Sequence, residues 1–190
     1  MSNKNICKNN ESCGTIITST KIKIQNMNFS ELLTQKTSHR DELKNEFNLP
    51  KRSKILVWVH FTDTKATKKI IEGLAILPAN FIIFGTEIKE SDAKNIVFKD
   101  THEGFDMTGI DAILCSCDDI KLEKIMEIGV VPIVNEKNYL GKILSEFHPG
   151  RAEGNAYLYE KGSYWSAYYA LVRYLENHKF PYDNRNLVKN

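Results

Sequence analysis

Apolar residues in this chain come in short continuous runs separated by longer mixed stretches, and the two kinds alternate from residue 54 onward. KILVWVHF (54–61), FIIF (81–84), NIVF (95–98), Ala112 to Leu114 and Val130 to Val134 lack the in–out alternation of a half-exposed strand. Continuous runs of this length are what strands buried on both faces of a parallel sheet look like. Between them apolar residues recur at helical spacing. Ile70, Ile71, Leu74 and Leu77 share one face of a helix over 64–77. Leu122, Ile125, Met126 and Ile128 form a stripe over 120–128, closed by Gly129. Further helices are expected over 140–147 and 164–177, with a short strand at 156–160 and a last helical turn after Pro181. Upstream, a helix is expected from Ser38, with Ser38 as N-cap, Leu43 and Phe47 at i and i+4, and Asn48 before Pro50 as a left-handed stop. The alternation predicts a doubly wound α/β domain with a mostly parallel sheet of about five or six strands.

Residues 1–27 differ in character. They are rich in Asn, Lys and Ser, with one β-prone run from Thr15 toward Ile24, and are expected to be a largely disordered polar leader. The single folded domain is expected over 28–190.

Composition narrows the function classes. A net charge of +2 over 190 residues gives no electrostatic reason to expect nucleic acid or a membrane surface. No apolar run is long enough to span a bilayer, and MSNKNICKNNES has no apolar centre of a secretory signal, so a cytoplasmic protein is expected. The four cysteines (Cys7, Cys13, Cys115, Cys117) lack metal-site spacing, and no metal is expected. The aromatic series Tyr164, Trp165, Tyr168, Tyr169 and Tyr174 sits at helical spacing and is read as packing against the sheet or a partner rather than as a sugar platform. The scattered His39, His102, His148 and His178 are read as surface residues.

IDAILCSCDDIKLEKIMEIGVVPIV (110–134) has the cadence of one family. Glycogen and starch synthases read, roughly, D-x-x-L-x-P-S-x-x-E-P-x-G-L-x-x-x-E-A-M-x-x-G-T-x-P-I-V there, and this chain keeps Asp111, Ser116, Met126 and GVVPIV at 129–134. KTSHRDELKNEFNLP resembles the family's K-x-x-x-K-x-x-L-x-x-x-x-G-L-P, with Arg40 for the second lysine and Asn48 for the glycine. VHFTDTKA resembles S-R-L-x-x-Q-K-G, and FIIFGTE resembles L-x-I-L-G-x-G. GNAYLYE resembles G-N-G-F-x-F, and PYDNRNLVKN is similar to P-x-x-W-x-x-L-V-x-N. The likeness is collinear over 36–190 and covers the C-terminal Rossmann-like domain of these retaining, two-domain GT-B glycosyltransferases.

That resemblance implies a nucleotide-sugar donor (ADP- or UDP-glucose) as substrate, no further cofactor, and glucosyl transfer to an α-glucan. Lys65 matches the family lysine that neutralises the donor diphosphate, where charge develops on the leaving oxygen. His60 stands in place of its arginine partner and cannot make a bidentate contact. In ungapped register, Ser116 falls on the glutamate near the reacting sugar and Lys124 on the ribose-holding glutamate, with Glu123 one residue away. Asp118 or Asp119 either substitutes for the first carboxylate or caps the helix that follows. The phosphate-binding glycine pair is replaced by Asn138 and Tyr139. Leu140 is retained, and Gly141 stands one position on.

The candidate site is therefore His60, Lys65, Gly85, Thr86, Ser116, Asp118, Asp119, Tyr139, Leu140 and Gly141, at the ends of predicted strands. The family's acceptor-binding half has no counterpart in these residues, so a partner chain would have to supply it. The chain alone is expected to be inactive. The alternative is a non-catalytic relic acting through protein contacts. An unrelated flavodoxin- or receiver-like module ranks last, because no phosphate-loop glycines or clustered acidic pocket appear.

Overall fold

The computed structural model describes residues 28–61, 64–88, 90–100, 105–116 and 122–189. The elements run α1 (Phe29–Glu46), β1 (Leu56–His60), α2 (Thr64–Leu74), β2 (Asn80–Phe84), β3 (Ile96–Lys99), a 3₁₀ turn (Met107–Gly109), β4 (Ala112–Cys115), α3 (Leu122–Met126), β5 (Val131–Asn135), α4 (Tyr139–Ile143), β6 (Tyr157–Tyr159), α5 (Tyr164–His178) and α6 (Pro181–Lys189). The strands form one six-stranded sheet in the order β3-β2-β1-β4-β5-β6, every pair parallel. This is the doubly wound α/β fold that the alternation of runs predicts. The order reverses direction between β1 and β4, where Val57 to His60 pair with Ala112 to Cys115.

Strand alternation divides the core in two. Val57, Val59, Phe81, Ile83, Leu114 and Ile133 point to the face covered by α2 and α5. Leu56, Trp58, Ile82, Phe84, Ile113 and Val134 point to the opposite face, packed with Leu43 of α1, Met107, Ile125 and Leu140. Strands buried on both sides are apolar along their middles, with polar residues such as Asn80 and Asn135 only at their ends, which is why they were legible as runs.

α1 departs from expectation. It begins at Phe29, not near Ser38, and its N-cap is Asn28, whose side chain accepts from the Glu31 amide at 3.0 Å while Glu31 accepts from the Asn28 amide at 3.2 Å. That reciprocal box satisfies two amides a bare helix start would leave open. Ser38 lies mid-helix and donates to Glu42 at 3.3 Å. The other end matches the reading: Asn48 is left-handed at φ 53° and the Leu49 amide returns to the Lys44 carbonyl.

The buried side of α1 is polar. Lys36 is 4% exposed and donates to the Ile110 carbonyl, and Arg40 donates to Asp111 at 2.7 Å. The other carboxylate oxygen of Asp111 accepts the Leu56 amide at 2.9 Å, which ties the helix to the starts of β1 and β4. Burial, against the pull of Asp111, lowers the Lys36 ammonium from 10.5 to about 8. His178 sits against Tyr174 at 5.6 Å, and burial lowers its pKa too, so it is not the surface histidine expected.

A lysine whose pKa falls on folding binds fewer protons in the native state than in the unfolded one. Stability should therefore rise with pH once the folded Lys36 begins to lose its proton near pH 8. The full shift corresponds to about 3 kcal/mol. The rise is to be read between pH 8 and 10, because burial pushes the Tyr157 phenol up to about 12 and draws stability down once unfolded tyrosine ionises. Urea midpoints across that window should climb in the parent relative to Lys36→Met. Parallel curves for the two proteins would refute the assignment.

Candidate functional site

In open parallel sheets, ligands bind beyond the strand C-termini where strand order reverses. Here that point is flanked by His60 at the end of β1 and Ser116 just after β4. The Ser116 amide donates to the His60 carbonyl at 3.1 Å and extends the ladder by one residue, fixing the two ends side by side. The His60 ring lies parallel to that of Trp58 at 6.5 Å, since residues two apart on a strand share a face. Gly85 follows β2 in the left-handed region at φ 66°. A Cβ there would sit 3.2 Å from Nε2 of His60, so the missing side chain leaves the imidazole its place beside β2. The Thr86 hydroxyl accepts the Ile88 amide at 3.1 Å.

The β4–β5 side of the edge is tied down by hydrogen bonds. Asn138 caps α4 by position, but its side-chain amide reaches across to donate to the Ser116 carbonyl at 3.2 Å. The Tyr159 hydroxyl donates to the Cys115 carbonyl at 2.7 Å from the end of β6. Tyr159 was missed as a site component in sequence because its role is to hold β4, visible only once β5 and β6 are known to lie beside it, and Asn138, read there as replacing a phosphate-binding glycine, holds β4 as well. Lys99, at the end of β3, is a further cation at this edge and covers the Phe47 ring at 4.3 Å.

The structure thus brings His60, Gly85, Thr86, Ser116 and the start of α4 to one edge. Tyr139 is half exposed there, while Leu140 is buried in the core. Gly141 faces inward: a Cβ on it would fall 2.0 Å from the Asn135 carbonyl oxygen, so its smallness serves the seating of α4 on β5. Lys65 lies in the first turn of α2, directly beyond β1. Asp118 and Asp119 lie outside the described residues. Lys124, at the position matched to the ribose glutamate, is exposed. Among the described residues no three His, Cys, Asp or Glu side chains converge to hold a metal. No helix among them is long and apolar enough to cross a membrane. A hollow of about 440 Å³, lined by Met126, Val130, Ile143, Leu187 and Val188 among others, opens at the start of β5, the other edge of the sheet.

Among solved structures, the chain is similar to the catalytic domain of starch synthase IV from Arabidopsis thaliana bound to ADP and acarbose, with a TM-score of 0.61 and 16% identity. The match covers 82% of this chain and 38% of that one. The fold is that of a GT-B Rossmann-like domain. No protein-family model matches the sequence, and no curated protein does. The likeness therefore rests on the path of the backbone, and the chain spans well under half of the starch synthase it matches.

Set on this GT-B-like domain, the aromatic series of α5 divides. Tyr174 is buried in the core, as the packing reading requires, but Trp165 and Tyr169 point to solvent.

Proposed function

We propose that this domain is a glycogen- or starch-synthase-like glycosyltransferase module that holds a nucleoside diphosphate sugar weakly at the C-terminal edge of its sheet and does not transfer glucose by itself. The observation carrying the reading is the reversal of strand order between β1 and β4, with His60, Gly85 and Ser116 gathered beside it. The matched starch synthase, bound to ADP, supports the ligand class. Lys65 is the proposed diphosphate contact, helped by the amides that open α2. With His60 in place of an arginine and Lys124 in place of a glutamate, charge stabilisation at the leaving group and grip on the ribose are both reduced.

An affinity near millimolar, about −4 kcal/mol, follows from a phosphate contact with so little support. Amide shifts during titration with ADP, UDP and their glucose esters should concentrate at His60, Gly85, Thr86 and Ser116 and be lost in Lys65→Ala. Shifts confined to other surfaces would remove the nucleotide from the reading. Glucosyl transfer to glycogen by the purified chain would overturn its inactivity.

A second reading, a non-catalytic interaction module derived from the same fold, is favoured by the exposed Lys124 where the family pattern has the ribose glutamate. It predicts no shifts with any of the four nucleotides.

A further inference from the structure

We infer that the outer face of α5 is a self-complementary surface that pairs with a second copy of this chain. Among the described residues, the exposed large hydrophobic side chains include Trp165 at 63%, Tyr169 at 63% and Phe180 at 58%. They recur along the outside of α5 and the turn just past it, whereas Ala167, Ala170, Leu171 and Tyr174 of the same helix are buried against the sheet. Patches of this kind on a rigid helix mark interaction surfaces more often than chance exposure.

The order of residues along the stripe says what covers it. From one end it reads Trp165, Tyr169, Val172 and Glu176 along one side of α5, with 3.6 residues per turn, and Phe180 stands in the bend just beyond the helix. Laid antiparallel on itself about a two-fold axis between residues 172 and 173, the stripe places Trp165 on the partner copy's Phe180 region at both ends. Tyr169 falls opposite the second copy's Glu176, so each phenol can donate to a carboxylate. Val172 lies at the centre. A two-fold contact requires this property, that the same patch meets itself in reverse.

The side chains are already held for it. The Trp165 ring rests against Tyr164 at 5.3 Å and edge-on to Tyr168 at 6.1 Å. Arg173 covers one side of Tyr169 at 5.3 Å while pairing with Glu146, and Lys179 fixes Glu176 at 2.7 Å. Little rotamer freedom is left to lose on contact, and Trp and Tyr are the residues that dominate such interfaces. Three rings per copy, each covering ~150 Å² or more, put the area at the low end of specific interfaces. The dimer is accordingly weak and concentration-dependent.

Sedimentation velocity of the full chain from about 5 to 300 µM, a range chosen to bracket weak association, should show the 21.8 kDa species giving way to one of twice that mass. Trp165→Glu and Tyr169→Glu should each remain monomeric throughout, with unchanged thermal unfolding because both positions are exposed. In a Cys7→Ser, Cys13→Ser, Cys117→Ser background, Val172→Cys should cross-link to a covalent dimer on mild oxidation, while Lys142→Cys, on α4 across the sheet, should not. A parent that stays monomeric at the highest concentration overturns the proposal. So does a dimer that survives Trp165→Glu, or equal cross-linking at both cysteine positions. A monomer that instead binds soluble α-glucan through Trp165 would also overturn it and assign the face to carbohydrate.

Discussion

Replacing Asp111 by alanine is expected to destabilise the protein by about 3–5 kcal/mol, enough to unfold much of it at ambient temperature. Asp111 is 5% exposed and does two things at once: it pairs with Arg40, itself only 13% exposed, and it accepts the first amide of β1. Without it, the Arg40 guanidinium and the Lys36 ammonium stay buried with their main counter-charge gone, and the Leu56 amide loses its acceptor. Removing one member of a desolvated pair costs more than the pair contributes when intact, because the survivor keeps its desolvation penalty. The contrast is Asp41, itself 60% exposed, whose partner Lys44 is buried but keeps the Ser53 carbonyl at 3.2 Å as a second acceptor, so that replacement of Asp41 by asparagine should cost within about 1 kcal/mol. Urea denaturation of the two variants decides the matter. Equal small losses would mean that Asp111 is not the keystone of this edge.

Gly141→Ala is expected to cost about 3 kcal/mol, the upper end for forcing extra atoms into a packed site. The added methyl group would lie 2.0 Å from the Asn135 carbonyl oxygen and 2.6 Å from the Glu136 Cα, both backbone atoms that cannot swing aside. α4 would have to lift off β5, drawing Leu140 from the core and Asn138 from the Ser116 carbonyl. Thermal unfolding and the amide shift of Ser116 should therefore change together. A stable variant with an unmoved Ser116 amide would show that the helix has room the structure does not indicate.

The central strands could be read from sequence because burial on both faces leaves no polar position to interrupt them, and Trp58 or Ile82 looks the same from either side. The first half of α1 could not. Over 29–37 the one buried side chain is Lys36, so the apolar periodicity that announces a helix is missing there although the helix is present. Its true start was signalled by Asn28 and Glu31, a short-range pattern in a segment with no apolar run to draw attention to it.

For the candidate site, the strand ends were legible but their neighbours were not. That His60 and Ser116 adjoin follows from β4 pairing with β1, a choice made by the whole sheet rather than by any local motif. Gly141 shows the reverse case. Its position suggested an opening toward a ligand, and only the approach of Asn135 reveals that the missing side chain is spent on packing. Trp165 and Tyr174 stand nine residues apart, two and a half turns, so they lie on opposite sides of α5, and one is exposed while the other is in the core. Spacing says which residues lie on a common helix, not where the sheet lies.

The tie between α1 and the start of β4 sets an order of events on the ribosome. Arg40 and Asp111 are 71 positions apart, and β1 waits 55 positions, from Val57 to Ala112, for one of its two neighbours. At about 5–20 residues per second, roughly 4–14 s pass between the synthesis of the helix and that of its anchor. Through that interval Lys36 and Arg40 lack the Ile110 carbonyl and the Asp111 carboxylate that receive them, while β1 and β2 already carry surface that belongs in the interior. A nascent chain stalled before residue 111 is thus a form of this protein in need of a chaperone, and one released later still waits for β5, β6 and α5 to complete its core.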